Sequence, residues 1–315
     1  MPADNVTPVE APDAGALAVG SGFGLGVETG QLPSDVIGSE PTAAPRRRLG
    51  WFFWVCVGWL ALVIFGAIFA SVLPIPAPNL QDAAPSAMPS IHHWLGTDSL
   101  GRDLFARVVV GARVSLVVGF GSIAIGVAVG GFMGLLAGFL GGRADTVLTA
   151  LANVALAFPA LILLLAVVAF LGANLFNITL TVGVLSIAPI FRVVRGATVA
   201  FADLEFVTAA RGIGASRWRI LFREIVPNVV PIVMSYSLVF VAVSILAEAA
   251  LSYLGLSVAD PTATWGKIVN GGQAYLATDP YICLWPSLAL FLTVLALNLV
   301  GDRLRTLFDV REAKL

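Results

Sequence analysis

Charged side chains are scarce in this chain of 315 residues. They make up 12% of the sequence, whereas hydrophobic residues make up 58% and the mean hydropathy is +0.93. A water-soluble protein of this length needs far more charge to cover its surface. The net charge of -1 also lacks the basic excess that is typical of nucleic-acid-binding proteins. The composition therefore excludes an ordinary soluble protein. We expect the chain to lie in a lipid bilayer and to bind no nucleic acid.

Residues that form disulfides or hold metals are almost missing. Cys56 and Cys283, the two cysteines, fall in or near apolar runs, and His92 and His93 are the two histidines. Two such cysteines form neither a disulfide framework nor a metal knuckle. Adjacent histidines make a poor metal site by themselves. We therefore expect no metal and no cofactor bound by this chain.

Catalytic motifs are missing as well. The sequence has no GxxxxGK[ST] phosphate-binding loop, no HExxH pair, no GxSxG turn and no pair of intramembrane aspartates. Few apolar runs carry a charge, which disfavours a proton relay of the kind that secondary transporters use. These absences predict a non-catalytic membrane protein that takes its energy from a partner.

Apolar runs, by contrast, are abundant, and six of them are predicted to cross a hydrocarbon layer of about 30 Å. Pro159 is expected to kink the third, and a row of glycines marks the second: Gly126, Gly130, Gly134 and Gly138. Such a row predicts close backbone approach by a neighbouring helix, and we favour packing within this subunit over a moving interface. The runs cover about 51–73, 114–140, 148–171, 178–194, 229–250 and 284–300.

The regions around these runs complete the predicted organisation. Residues 1–45 contain six acidic residues and no Lys or Arg, and they lack the apolar centre of a secretory signal. The predicted divisions are a disordered acidic cytoplasmic tail at 1–48, a first transmembrane helix at 49–73, an external loop with a surface helix at 74–112, a core of five transmembrane helices at 113–302, and a cytoplasmic C-terminal tail at 303–315.

The basic residues predict the orientation of the chain. Six crossings place both termini on one side, and only Arg102, Arg107, Arg113 and Lys267 then fall on the other side. The positive-inside rule makes the basic side cytoplasmic. The residues on that side are Arg46, Arg47, Arg48, Arg143, Arg192, Arg195, Arg211, Arg217, Arg219, Arg223, Arg303, Arg305, Arg311 and Lys314.

A polar, arginine-bearing segment, 203–231, lies between the fourth and fifth runs on that cytoplasmic side. Asp203 is expected to cap a short helix, and Gly212 and Gly214 are expected to end or bend it. A short amphipathic helix at a membrane surface can dock in a groove of a soluble partner; the alternative is a simple arginine-bearing loop. The spacing of one apolar helix face is shared by Phe206, Ala209, Ala210 and Ile213.

One acidic residue, Glu248, lies near the end of the fifth run. A carboxylate within a membrane span is a functional candidate by default, because its burial is costly. The alternative, which we favour, is a structural carboxylate that bonds loop backbone near the interface. We expect it to brace the outer loop rather than to contact substrate.

The segment 203–231 resembles the EAA loop of binding-protein-dependent ABC importer permeases. That loop reads E-A-A, three residues, G, and then a stretch that ends near L-P. The glutamate of the loop is replaced by Thr208 here, so we expect no ion pair from this position to an ATPase. The matching positions are Thr208, Ala209, Ala210, Gly214, Val226 and Pro227.

Further motifs are similar to the C-type permease subunit of dipeptide and oligopeptide transporters, and the resemblance covers about 49–310. Its first motif is H-x-L-G-T-D-x-x-G-R-D, which comprises His93, Leu95, Gly96, Thr97, Asp98, Gly101, Arg102 and Asp103. The later ones are Phe158 and Pro159; Glu248, Ala249, Ser252, Leu254, Gly255 and Leu256; Trp265 and Gly266; and Asn298, Gly301 and Asp302.

This resemblance implies an all-α membrane protein with six transmembrane helices of the type I ABC importer permease fold and a cytoplasmic coupling helix between spans 4 and 5. It implies a homologous B-type permease, two ABC ATPases that bind ATP and Mg, and an external substrate-binding protein, in the bacterial cytoplasmic membrane. Structural or gating candidates are Pro159, Glu248, Asn298 and Asp302. The implied ATPase-coupling residues are Asp203, Glu205, Phe206, Thr208, Ala209, Ala210, Arg211, Gly214 and Arg217.

The substrate class implied by the resemblance is a di- or oligopeptide. Close relatives in that family carry nickel or glutathione instead, and both stay open as alternatives. From another class, a self-contained secondary transporter or channel would work without the ATPases. An intramembrane enzyme is the third class, and the missing catalytic motifs disfavour it.

Overall fold

The computed structural model describes residues 50–312, with the side chains of 50–307. The predicted acidic tail therefore lies outside the described residues. All regular elements between 50 and 312 are helical. They are α1 (Trp51–Phe69), α2 (Leu104–Gly126), α3 (Phe132–Leu140), α4 (Gly142–Ala157), α5 (Ala160–Leu171), α6 (Leu175–Ala202), α7 (Glu205–Gly212), α8 (Arg217–Ile220), α9 (Val226–Tyr253), α10 (Trp265–Gly272) and α11 (Tyr281–Glu312).

Two π-helical turns join some of these helices into longer rods. Val127–Gly131 connects α2 to α3, and Leu221–Ile225 connects α8 to α9. Five stretches of the described chain are long and apolar enough to cross a bilayer, and the number is six if the bent pair α4 and α5 forms one span. The predicted all-α membrane architecture is confirmed. The five stretches are Trp51–Phe69, Leu104–Leu140, Leu175–Ala202, Arg217–Tyr253 and Tyr281–Leu307.

The helices extend well beyond the apolar runs that predicted them. The surface helix expected before residue 113 is not a separate element, because α2 begins at Leu104 and continues as one rod to Leu140. Asp103 starts it by accepting a 2.7 Å hydrogen bond from the backbone N–H of Ala106. Similarly, α6 continues to Ala202 and α11 runs through the expected C-terminal tail to Glu312. Hydropathy marks where lipid surrounds a helix, whereas the backbone hydrogen bonds continue into water.

The third crossing is broken rather than kinked. Phe158 adopts an extended conformation, Pro159 takes the N-cap position of α5, and the two helices meet at 79°. Proline lacks the N–H that would continue the hydrogen-bond ladder, and it disfavours helical geometry in the residue before it. Both effects coincide here, so the local backbone leaves the helix entirely.

The glycine row brings the α2–α3 rod against α6. A Cβ atom on Gly130 would lie 2.4 Å from the carbonyl oxygen of Ile187, and one on Gly134 would lie 2.9 Å from that of Phe191. A Cβ on Gly138 would lie 2.9 Å from the carbonyl oxygen of Arg195. All three oxygens belong to α6 of the same chain, which confirms packing within this subunit.

This packing generates a matched prediction from two neighbouring glycines. We expect Gly130→Ala to lower the free energy of unfolding by about 1–3 kcal/mol, because a backbone oxygen blocks the new methyl group. Gly131→Ala is the control, since its nearest neighbour would be Val127 Cγ1 at 3.8 Å. Thermal unfolding of both variants in detergent measures the difference, and equal stability would contradict the close approach.

Candidate functional site

The helix α7 connects the long span helices α6 and α9 through α8. Asp203 does not cap it as predicted, because its backbone N–H closes the last turn of α6 on the carbonyl of Phe201. The residue before α7 is Leu204, which offers no side-chain cap. Asp203 therefore ends one helix rather than starting the next, and it is exposed.

The faces of α7 differ from the predicted single apolar face. Val207 is fully buried, and Ala210 packs beside it against the core of the chain. By contrast, Ala209 is exposed, Phe206 is 38% exposed and Ile213 is 87% exposed. The apolar residues of this segment therefore form two surfaces. Val207 and Ala210, three residues apart, hold the helix to its own chain, and the other apolar residues form a second stripe that is exposed. We call Phe206, Ala209 and Ile213 the outer stripe.

The end of α7 is tightly defined, which confirms the predicted role of Gly214. The N–H of Gly214 donates to the carbonyl of Arg211 at 3.0 Å, and the N–H of Ala215 donates to that of Ala210 at 3.1 Å. Gly214 has φ +78°, the left-handed conformation that this pair of bonds requires. The outer stripe is therefore carried on a short helix with a fixed turn behind it.

Two of the predicted coupling arginines meet beside α7. Arg211 and Arg217 both line a cleft of about 460 Å³ at the end of α3 that we predict to face the cytoplasm. Glu205 and Thr208 are exposed on α7 itself. The other residues that line the cleft are Phe139, Leu140, Ala215 and Ile220. This end of the bundle thus presents an apolar stripe flanked by cationic groups.

Glu248 lies at the far end of α9 and is fully buried. It bonds side-chain hydroxyls rather than the loop backbone that we expected. Ser115 Oγ donates to its Oε2 at 2.9 Å, while Ser252 Oγ and Ser257 Oγ donate to its Oε1 at 2.5 and 3.3 Å. Thr264 Oγ1 donates to Ser252 at 2.8 Å. The carboxylate thereby links α2, α9 and the loop before α10, and its bracing role stays a prediction.

The loop between α9 and α10 has a second tie. Lys267 Nζ donates to Asp260 Oδ1 at 2.7 Å and to the carbonyl of Val258 at 3.0 Å. This hydrogen bond holds the pKa of the Asp260 carboxyl below its ordinary value. The loop is therefore tied to α10 while that carboxyl is ionised.

The motif that precedes α2 forms a compact polar cluster. His93 Nδ1 pairs with Asp103 Oδ2 at 2.8 Å, and Asp98 Oδ2 accepts from Arg102 Nε at 2.7 Å. The buried Arg107 lies 3.5 Å from the same Asp98 oxygen. These contacts give the motif a structural role in starting α2. Among the described residues no three His, Cys, Asp or Glu side chains gather into a metal site.

The remaining candidates differ in their surroundings. Asn298 is half-buried and donates to the carbonyl of Val294 in its own helix at 2.8 Å, whereas Asp302 is exposed. Neither is joined to Pro159 or Glu248 by a hydrogen bond or an ion pair found within the described chain. The structure therefore does not gather the four gating candidates into one site.

Two further polar contacts were missed by the sequence analysis, which listed Arg192 and Arg195 only among the basic residues of the cytoplasmic side. Arg195 instead pairs through two N–H groups with Asp145 on α4, one of them at 2.7 Å from Oδ2. Arg192 Nη2 donates to Asn153 Oδ1 at 2.8 Å. The signal was present in the polar residues at 145, 149 and 153, which recur every four positions along α4.

The hydroxyl cluster predicts that Glu248 is needed for stability. We expect Glu248→Ala to lower the free energy of unfolding by about 1–3 kcal/mol, because the buried hydroxyls lose their acceptor. Glu205→Ala, which removes an exposed carboxylate from α7, is the control and should leave the unfolding temperature almost unchanged. A Glu248→Gln protein with unchanged stability but altered substrate preference would assign the carboxylate to substrate instead.

Two known permease proteins are similar to this chain over most of their own length. The chain is 39% identical over 267 residues to the glutathione transport system permease protein GsiD of Pectobacterium atrosepticum, covering 84% of this chain and 89% of that protein. It is 42% identical over 253 residues to the GsiD protein of Escherichia coli O6:K15:H31, covering 80% of this chain and 84% of the relative.

A solved structure supports the same architecture. The inward-facing MetNI methionine ABC transporter has a chain that matches with a TM-score of 0.54 and 18% identity, covering 64% of this chain and 96% of that one. At this identity the likeness concerns the fold, which is that of a type I ABC importer permease. The family model described as the binding-protein-dependent transport system inner membrane component matches residues 130–314. This chain therefore belongs to the family of inner membrane components of binding-protein-dependent transport systems.

Proposed function

We propose that this chain is one of two permease subunits of an ATP-driven importer for small peptides, and that α7 receives the force of ATP hydrolysis. The observation that carries the proposal is the outer stripe: Phe206, Ala209 and Ile213 project from a helix whose opposite side is anchored by Val207. An apolar stripe on a short helix suits a groove in a soluble partner. A segment that only connected two membrane spans would not need an exposed apolar stripe.

The surroundings of α7 support its action as a rigid lever. The turn at Gly214 fixes the C-terminal end of α7. Beyond this turn, α8 begins the continuous 37-residue stretch Arg217–Tyr253. A push on α7 would therefore tilt whole span helices rather than bend a loop. The basic side chains of Arg211 and Arg217 would complement acidic groups at the rim of a groove in the ATPase. Thr208 supplies no charge for such a contact.

For the substrate, we propose peptides and place glutathione first, since the two permeases compared above are named for its transport. Di- and oligopeptides, our leading expectation from the sequence, remain within the same class. We further propose that the chain works in the bacterial cytoplasmic membrane with both termini and α7 in the cytoplasm, next to a homologous permease. Two ATPases would bind ATP and Mg, and an external binding protein would deliver the substrate.

Reconstitution tests this function directly. The chain, its partner permease, two ATPases and the binding protein should together import labelled glutathione into liposomes only when ATP is supplied on the ATPase side. A complex whose ATPases carry a substituted phosphate-loop lysine is the control. Import by the purified chain alone under an ion gradient would contradict the proposal and favour a secondary transporter.

Two adjacent alanines test the lever. We expect Ala209→Glu to reduce ATP-dependent import at least tenfold with little change in the unfolding temperature, because the new charge stands where the outer stripe enters an apolar groove. Ala210→Glu is the matched variant and should lower the unfolding temperature, because Ala210 packs on the core of its own chain. Full import by the Ala209→Glu complex would remove α7 from the coupling role.

A further inference from the structure

Arg192 is an exposed arginine deep along a span helix. It lies seventeen residues after Leu175, the first residue of α6, and 1.5 Å per residue gives a distance of about 26 Å. Ten residues, or about 15 Å, separate it from Ala202 at the other end of α6, so Arg192 lies well inside this helix and not at its end. A charged side chain at such a depth faces protein or a water-filled cavity rather than lipid.

Its charge is not neutralised by any described residue. One guanidinium N–H donates to the neutral amide oxygen of Asn153, and the described side chains form no ion pair with Arg192. One turn further along α6, by contrast, the charge of Arg195 is matched by Asp145. A guanidinium has five donors in a planar fork, so Asn153 can orient Arg192 while most of its donors stay available.

A second, independent feature marks the same face. Asn153 precedes the helix break at Phe158 and Pro159 by about one turn, and every residue from Asn153 to Leu163 is exposed. Non-helical backbone at membrane depth is tolerated where it is buried in protein or lines a water-filled cavity, and not against lipid. The unpaired cation and the exposed break therefore lie on one face, which is either covered by the partner permease or lines a water-filled cavity.

We propose that Arg192, oriented by Asn153, is a carboxylate-binding point in the wall of the translocation pathway and selects substrates that carry a free carboxylate, such as a peptide C-terminus. This inference rests on the proposed function of peptide import. An arginine fork matches two carboxylate oxygens with parallel hydrogen bonds. A single such point, open to water, holds the substrate weakly enough for its release, which conduction requires.

The complete transporter, reconstituted with ATP, tests this selection with glutathione and with an amide derivative in which both of its carboxylates, that of the C-terminal glycine and the α-carboxylate of the γ-glutamyl residue, are amidated. We expect Arg192→Gln to reduce import of the free acid about tenfold relative to wild type. Import of the amide, expressed as the same ratio, should change less than twofold. Expressing both results as ratios removes any preference of the binding protein, which is common to both complexes. Arg192→Lys should restore part of the discrimination.

Arg143→Gln is the matched control, because it removes an exposed arginine from the first turn of α4 away from the break. It should affect both peptides equally and slightly. An equal loss for acid and amide with Arg192→Gln, or no loss for either, overturns the inference. A loss that follows the anionic lipid content of the liposomes, rather than the peptide carboxylate, also overturns it and assigns Arg192 to lipid phosphate.

Cysteine labelling, which needs no substrate, tests whether position 192 faces water. In the assembled complex in open membrane fragments, Arg192→Cys should react with a membrane-impermeant maleimide, while Leu62→Cys, exposed on the apolar helix α1, should not. Wild type gives the background, since Cys56 and Cys283 are buried. An unreactive Arg192→Cys overturns the inference. A wild-type complex that imports neither peptide contradicts the proposed function, and the labelling result then stands by itself.

Discussion

Close backbone contact between the α2–α3 rod and α6 is the constraint on which this structure depends. In lipid, apolar side chains gain little by leaving their surroundings, so helices associate through tight packing and polar contacts. The glycines at 130, 134 and 138 each face a carbonyl oxygen of α6 so closely that an added Cβ atom would lie 2.9 Å or less from that oxygen. Because α6 continues directly into the turn before α7, the same contact also sets the position of α7.

The two ends of the bundle are built from different polar chemistry. At one end, the buried carboxylate of Glu248 is surrounded by the hydroxyls of Ser115, Ser252 and Ser257, which connect separate elements without exposing charge. At the other end, Arg195 is paired with Asp145 and the residues of α7 stand exposed. A closed network resists movement, whereas an exposed helix on a firm base can transmit it. This contrast fits a permease that is held at one end and driven from the other.

The sequence was sufficient for features that depend on one element at a time. Apolar runs predicted the crossings, and the glycine spacing predicted close packing, because both follow from the bilayer as solvent. The end of α7 at Gly214 was equally local, since a left-handed residue was needed there. The extent of α2 and α6 was not predicted, because the helical hydrogen bonds continue where hydropathy no longer distinguishes a helix from a loop.

Features that depend on two elements could not be obtained from periodicity. Phe206 and Val207 are both apolar and adjacent, and Val207 is the one that joins a buried cluster shared with residues of α6, α8 and α9. Ser115, one of the hydroxyl partners of Glu248, is 133 residues away in sequence and lies on another helix, so the pattern around Glu248 could not indicate it.

Arg192 and Arg195 make the same point most clearly. They lie one turn apart on α6 and are chemically identical, yet α4 offers a carboxylate to one and an amide to the other. The difference leaves one uncompensated positive charge next to the only break in a crossing of the described chain. A membrane protein that keeps such a charge bears its desolvation cost unless water reaches it. The proposed position of Arg192 in the water-filled wall of the translocation pathway, beside the broken helix pair, resolves this cost.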